Sequence, residues 1–198
     1  MSASNAPFGL RPAFHPSGLD RAQALANGIA SGYGSNILKG QPVVYGTTAN
    51  GGTLGTVIPA AATGTVTGAF AGVEWTDTTG RARVSNYWPA NTAYTAGTCV
   101  AYFYNDQNIV YEIQADGSMA QTTIGNEFNF NNVTAGSTTT GLSQATLNSA
   151  SAVGSGVQGQ MRVVDIAPCA RKQTRFQKPS TPSTIRSSPT DTGSSPGG

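Results

Sequence analysis

The sequence predicts an all-β protein: a small β-barrel or sandwich with an extended N-terminal arm and a disordered C-terminal tail. Gly, Ala, Thr and Ser make up nearly half of the 198 residues, whereas charged residues are only 10%. Because helical bundles need Leu, Glu and Lys in quantity, this composition disfavours them. Short apolar segments recur with turn signals between them, at spacings of roughly 8–12 residues that are typical of sandwiches and barrels. The predicted boundaries are 1–37 for the arm, 38–168 for the β domain and 169–198 for the tail.

The N-terminal arm contains three prolines within residues 7–16. They hold the chain extended, because proline fixes its own φ and restricts the residue before it. The arm carries large apolar side chains without local partners, so we predict that it docks on a neighbouring subunit or another protein. The candidate contact residues are Phe8, Leu10, Arg11 and Phe14. The alternative is that the arm folds back onto its own domain. Farther along, residues 19–27 followed by Gly28 predict a short helix.

The central region has the pattern of short β-strands. The predicted strands are 42–46, 54–59, 65–75, 98–104, 109–114 and 160–167. The alternation in the third of these predicts one shared face for four residues, Ala69, Ala71, Val73 and Trp75. The fourth and fifth strands, joined by Asn-Asp-Gln-Asn, predict the clearest hairpin of the chain.

The positive charge of the chain is concentrated in the tail. Residues 1–170 carry six Lys/Arg and eight Asp/Glu, whereas 171–198 carry five Lys/Arg and one Asp. The β domain is therefore mildly acidic, which disfavours specific nucleic-acid binding. The tail has four Pro, six Ser, five Thr and only two large apolar residues, Phe176 and Ile185, so we expect it to be disordered. The chain contains no apolar run of 18 residues, so we expect no membrane span.

The residue types that carry enzyme chemistry are few in this chain. The only histidine, His15, lies in the arm, and the two cysteines, Cys99 and Cys169, are far apart in sequence. This set cannot form a zinc site of ordinary ligand number without several carboxylates. Glu74 and Asp77 flank a turn, where two carboxylates are usually solvated rather than catalytic. We therefore expect no enzyme activity, no cofactor and no bound metal.

An arginine–aromatic cluster follows the strand at 65–75 and its turn. Its members are Arg81, Arg83, Tyr87 and Trp88. Large aromatic residues beside arginine are the composition of interface anchors. They are equally the composition of a domain core whose arginines pack on rings. The sequence leaves both interpretations open.

Six segments that span most of residues 5–167 carry a resemblance, although none is a catalytic signature. They are NAPFGLRP (5–12), IASGYGSNILKGQPVVY (29–45), GVEWTDTTGRARVSNYWPANT (72–92), VYEIQADGSMAQTTIG (110–125), NNVTAGSTTTGLS (131–143) and GVQGQMRVV (156–164). Together they resemble the capsid decoration, or cement, proteins of tailed bacteriophages, which are small accessory head proteins.

The resemblance implies a β-rich virion structural protein that is made in the host cytoplasm and sits on the outside of an icosahedral capsid. Its implied partners are the major capsid protein, whose subunits it would cement, and further copies of itself, a trimer being favoured over a dimer. A tail-fibre or receptor-binding β module is the alternative function. Proteins of this type are expected to have a further aromatic-bearing strand after the segment equivalent to 162–168. Here the tail follows instead, which leaves open what closes the edge of the sheet.

Overall fold

A computed structural model of the chain is all-β, as predicted. It describes residues 6–19, 23–26, 28–150, 152–154, 157–166 and 173–177. Within these ranges, helical structure is limited to short 3-10 turns such as Thr48–Asn50 and Gln121–Thr123. The described ranges contain no helix that is long and apolar enough to cross a membrane.

The structure describes fifteen strands, most of which are short. They are β1 (Arg11–Phe14), β2 (Gln23–Ala26), β3 (Pro42–Tyr45), β4 (Val57–Pro59), β5 (Gly68–Thr76), β6 (Ala82–Ser85), β7 (Val100–Tyr104), β8 (Val110–Gln114), β9 (Glu127–Phe128), β10 (Phe130–Asn131), β11 (Gly136–Ser137), β12 (Leu142–Ser143), β13 (Thr146–Leu147), β14 (Met161–Ile166) and β15 (Gln173–Gln177).

Two antiparallel sheets form the body of the protein. The first, sheet A, has the strand order β1-β8-β15-β14-β9. The second, sheet B, has the order β2-β7-β5-β3-β4, and β6 also pairs with the distal half of β5. Two further ladders, β10 with β13 and β11 with β12, lie outside these sheets.

The two sheets share the first of two hydrophobic cores. This core combines sheet A residues such as Tyr111 and Val163 with sheet B residues such as Ala69, all of them less than 4% exposed. The second core lies against residues of sheet B such as Phe70 and includes side chains from the segments before β3 and after β6. Burying both faces of β5 explains why its sequence is nearly continuously apolar.

The face predicted for the strand at 65–75 is wrong, because β5 contains a bulge. Its register against β7 shifts between Phe70 and Gly72. The extra residue breaks the alternation, so Ala69 faces the first core while Val73 and Trp75 face the second. A period-2 pattern cannot reveal such an insertion.

The hairpin predicted for 98–104 and 109–114 is also wrong in its pairing, although both strands exist. β7 pairs with β2 and β5 in sheet B, whereas β8 pairs with β1 and β15 in sheet A. The loop between β7 and β8 contains a local hydrogen bond, in which the Asp106 carboxylate accepts from the Asn108 backbone N–H at 2.7 Å. Because β7 and β8 belong to different sheets, this loop carries the chain from sheet B to sheet A. Alternation specifies the faces of a strand but not its partner.

The first 37 residues do not form the separate extended arm predicted from the sequence. β1 is an edge strand of sheet A, and Leu10 immediately before it is 2% exposed in the first core. The helix predicted at 19–27 is wrong as well, because residues 23–26 form β2 and pair with β7. Pairing with a strand of a sheet satisfies the backbone of such a short segment, which an isolated two-turn helix does only in part.

The tail predicted at 169–198 contains a strand. β15 lies between β8 and β14, with Phe176 in register with Tyr111 on one side and Val163 on the other. The disordered tail predicted from the composition is therefore wrong for residues 173–177. Average composition over 28 residues hides a five-residue segment whose backbone is paired on both sides. The disorder predicted for residues 169–172 and 178–198 lies outside the described residues.

Candidate protein-interaction surface

The N-terminal segment is locked to its own domain where residues 8–10 cross the turn that precedes β3. The Leu10 backbone N–H donates to the Gly40 carbonyl at 2.7 Å. Gly9 and Gly40 both have positive φ, and a Cβ on Gly9 would lie 2.5 Å from the Gly40 oxygen. Only glycine permits this approach of two backbones without strain. The crossing fixes where β1 joins sheet A and therefore where Phe14 emerges.

Phe8 and Arg11, both predicted contact residues, have partners within the chain. The Arg11 guanidinium lies 4.9 Å from the centre of the Phe8 ring and donates to the Glu112 carboxylate of β8. Phe8 and Leu10 line an apolar cavity of about 220 Å³ together with residues that include Lys39 and Leu142. These contacts use Arg11 and Phe8 to hold β1 in place.

Phe14 is the predicted apolar contact residue that remains mostly exposed. It is 58% exposed at the end of β1. A groove of about 380 Å³ lies beside it, lined by Ala13 and Phe14 of β1, Val110 of β8, and Val164 and Asp165 of β14. Val164 is 37% exposed and Phe14 lies beside the same groove, so the two apolar side chains are not isolated on the surface. We call these five residues the Phe14 surface.

The arginine–aromatic cluster divides between the core and the surface. Trp88 is fully buried in the second core, with ring centres 5.4 Å from Trp75 and 5.9 Å from Tyr94. Its core interpretation is therefore correct. Arg81 and Arg83 are exposed on the hairpin of β5 and β6. Tyr87, which directly precedes Trp88 in the sequence, is half-buried. The four residues do not form one contact patch.

Asp77 organises the turn between β5 and β6. Its carboxylate accepts hydrogen bonds from the hydroxyl and backbone N–H of Thr79, from the backbone N–H of Arg81 and from Nε of Arg83. These bonds, that from the Thr79 hydroxyl first, hold the pKa of Asp77 well below its ordinary value. Glu74, considered with Asp77 as a carboxylate pair, instead accepts from the Tyr102 hydroxyl and raises the pKa of Tyr102. The two acids have separate partners and do not share a proton.

His15 and Cys99 are engaged in structural contacts, whereas Cys169 lies outside the described residues. Nε2 of His15 lies 3.3 Å from the Asp106 carboxylate, and its Nδ1 accepts from the Ser17 backbone N–H. Cys99 is buried, which raises the pKa of its thiol. Within the described ranges, no three His, Cys, Asp or Glu side chains come together as metal ligands do.

Sequence reasoning missed the sheet A residues that surround Phe14. The pair Val163-Val164 contained a usable signal, because adjacent residues of a strand face opposite sides and only one can enter a one-sided core. Val163 is 1% exposed and Val164 is the outward member. The sequence does not indicate that β1 contributes to the same surface, because the order of strands in sheet A depends on long-range pairing.

The described residues of the Phe14 surface are mainly apolar. Among the described residues it combines an exposed aromatic ring, aliphatic side chains and one carboxylate, a mixture that also occurs where proteins contact each other. No family model, curated protein or solved structure matches this chain.

Proposed function

We propose that this protein is a virion structural protein that binds the outside of an icosahedral capsid as an oligomer and cements the major capsid subunits. The observation that carries the proposal is the Phe14 surface, an apolar groove around an exposed aromatic ring on an ordered sheet. The resemblance of six sequence segments to phage decoration proteins supplies the identity of the partner.

The Phe14 surface has the properties of an anchor. Burying a phenylalanine ring removes on the order of 150–200 Å² from water, and a few such residues dominate the energy of many interfaces. Phe14 sits on a strand that is paired with β8, so less conformational freedom is lost when a partner covers it than for an unpaired segment. Arg11 serves the position of β1 through Glu112 and is not part of the proposed contact.

We propose a trimer as the oligomer, because closed symmetry is the rule for soluble homo-oligomers and a local three-fold position on a shell favours three copies. Mass measurement of the purified protein by light scattering tests this part separately. A monomer at micromolar concentration that also gives monomeric density on shells contradicts the oligomer but leaves the shell contact to its own test.

A copy-number measurement on the virion tests the proposed location. Quantitative mass spectrometry of purified particles should find on the order of hundreds of copies, as a shell lattice requires. A dozen or fewer copies would place the protein at the tail and favour the fibre or receptor-binding alternative.

A binding assay tests the contact itself. Shells that lack the protein are mixed with the wild type, with Phe14→Ser or with Leu54→Ser, and bound protein is quantified after sedimentation. Leu54 is the matched control, because it is an 80% exposed apolar residue in the loop between β3 and β4. We expect Phe14→Ser to weaken binding by about tenfold or more and Leu54→Ser to leave it unchanged. Equal binding by all three proteins would show that the Phe14 surface is not the contact.

A further inference from the structure

The edge strands of a sheet present unpaired backbone groups, and three edges of this protein are protected. β1 contains Pro12, which lacks an N–H, and a bulge. At β4, the Val57 N–H donates to the Gly28 carbonyl, and at β9 the Glu127 carbonyl accepts from the Val153 N–H. Proline, bulges and covering segments are the usual devices that prevent pairing with another chain.

β6 has none of these devices. It pairs with β5 alone, its four residues are exposed or half-exposed, and Val84 is 80% exposed. Its sequence, Ala-Arg-Val-Ser, contains no proline, and its register against β5 is regular. The β-branched Val84 and the extended backbone make it a ready template for one more strand.

The hydrogen-bond phase of the hairpin shows which groups of β6 point outward. The Asp77 N–H donates to the Arg81 carbonyl, so the bonded partners next along the ladder are Trp75 with Arg83. The Thr76 N–H points away from β6, as this alternation requires, because it donates to the Thr98 hydroxyl on the opposite side of β5. The N–H and C=O groups of the intervening residues, Ala82 and Val84, therefore point away from the sheet.

The charges on β6 determine which kind of strand it can accept. Arg83 lies directly opposite Trp75 of β5, so these two side chains are on the same face of sheet B. Arg81, two positions earlier and just before β6, continues on that face. Arg83 donates to Asp77 through Nε, which leaves its terminal N–H groups for another acceptor. Arg81 has no ionic partner among the described residues. An incoming strand is therefore favoured if it carries acidic side chains on this face.

A second copy of this chain does not supply such a strand. Antiparallel pairing of two β6 strands through both Ala82 and Val84 puts Arg83 directly opposite the same arginine of the other copy, which is unfavourable. In addition, no two of the nine Asp and Glu residues of the sequence lie two positions apart. The complementary segment must come from a different protein.

We propose that β6 is a strand-addition site for an extended segment of another protein that carries two acidic residues two positions apart. The segment adds antiparallel to β6 and hydrogen-bonds to Ala82 and Val84, and its acidic residues lie opposite Arg83 and Arg81. Backbone hydrogen bonds supply affinity in this mode, and alternate side chains supply specificity. The site is separate from the Phe14 surface and does not depend on the proposed function.

A synthetic peptide, acetyl-Thr-Thr-Glu-Val-Glu-Thr-Thr-amide, is the probe for this site. Titration into the full-length protein is followed by backbone amide NMR shifts. We expect the largest shifts at Ala82 and Val84 and slower amide exchange there on binding. The same peptide with lysine in place of both glutamates should bind at least about tenfold more weakly. Equal affinity for the two peptides, or no binding of the acidic one, overturns the proposal.

Two variants connect binding to the named groups. Val84→Pro removes an outward N–H without removing a ladder bond to β5, and Val84→Thr is its control because it keeps that N–H. Proline should weaken peptide binding by about tenfold and threonine by less than about twofold. Arg81→Glu leaves the backbone intact and should weaken binding by about fivefold.

Unchanged binding to Val84→Pro overturns strand addition at β6. Amides of Ala82 and Val84 that are already protected in the protein without peptide, and that lose this protection on dilution, would show that a second copy occupies the edge, which also overturns the proposal.

Discussion

Arg11 on β1 and Glu112 on β8 lie directly opposite each other, and the Arg11 guanidinium donates a hydrogen bond to the Glu112 carboxylate. This cross-strand pair fixes the register of the N-terminal strand on sheet A. The Arg11 side chain is 61% exposed, so the pair contributes about 1 kcal/mol or less to stability. Leu10, next to it, supplies most of the energy that holds the segment, because it is buried in the core that the two sheets share.

Leu10→Ala should therefore destabilise the isolated protein. We expect the free energy of unfolding to fall by about 2–4 kcal/mol, because a fully buried leucine leaves a cavity. Phe14→Ala, four residues along the same segment, is the matched control and should cost less than about 1 kcal/mol, since Phe14 is 58% exposed. Chemical denaturation of both variants measures the difference, and deleting residues 1–16 should lower the melting temperature for the same reason. Equal effects of the two substitutions would mean that the segment does not pack as described.

Trp88 should be essential for stability through its volume rather than through its indole N–H. The ring is fully buried against Trp75 and Tyr94, and its Nε1 has no hydrogen-bond acceptor among the described residues. Trp88→Ala should lower the free energy of unfolding by about 3–5 kcal/mol, whereas Trp88→Phe, which forfeits no hydrogen bond, should cost about 1–2 kcal/mol.

Denaturant titration followed by far-ultraviolet circular dichroism measures both Trp88 variants. Tyr87→Ala is the control from the same segment, and its effect should be smaller because Tyr87 is only half-buried. A cost for Trp88→Phe as large as that for Trp88→Ala would point to a polar role of the indole.

The sequence was sufficient for the β class and for the positions of several strands, because these depend on local alternation and turns. β7, β8 and β14 lie within the predicted segments 98–104, 109–114 and 160–167. It was insufficient for pairing partners, as β7 and β8 show by joining different sheets. It was also insufficient for β2 and β15, since a strand paired by long-range contacts needs little intrinsic preference.

The same distinction applies to the candidate surface. The sequence predicts one contact set of four arm residues, yet Leu10 is in the core and Phe8 and Arg11 contact each other. Phe14 is the large apolar residue of the set that is mostly exposed. Apolar character identifies residues that need a partner but does not show whether that partner is internal. Val164 became part of the surface only because sheet A places β14 where Phe14 can share its groove.

Cys99 should be chemically inert in the folded protein. It is buried, burial raises the pKa of its thiol, and its Sγ lies 3.5 Å from the Ile29 backbone nitrogen. In the variant Cys169→Ser, which leaves Cys99 as the single thiol, Ellman's reagent should react slowly in buffer and rapidly in denaturant. The variant Cys99→Ser provides the control for the other thiol. A native reaction as fast as that of the unfolded chain would contradict the burial of Cys99.

The Asp77 turn should make a pH-dependent contribution to stability. Hydrogen bonds, that of the Thr79 hydroxyl first, hold the pKa of Asp77 in the folded protein below its unfolded value of about 3.9. A group with a lowered folded pKa stabilises fully above its unfolded pKa, and the contribution is lost as the pH falls towards the folded pKa. Asp77→Asn should therefore be less stable than the wild type at pH 6, and the difference should shrink between about pH 5 and pH 3.

Other carboxylates such as Asp106 also have a lowered pKa, through the Asn108 backbone N–H first, but they are common to both proteins and cancel in the comparison. Urea unfolding of both proteins at each pH measures the difference, and Thr79→Ala should reproduce part of it by removing the leading donor. A difference that stays constant from pH 6 to pH 3 would mean that the charge of Asp77 does not stabilise the turn.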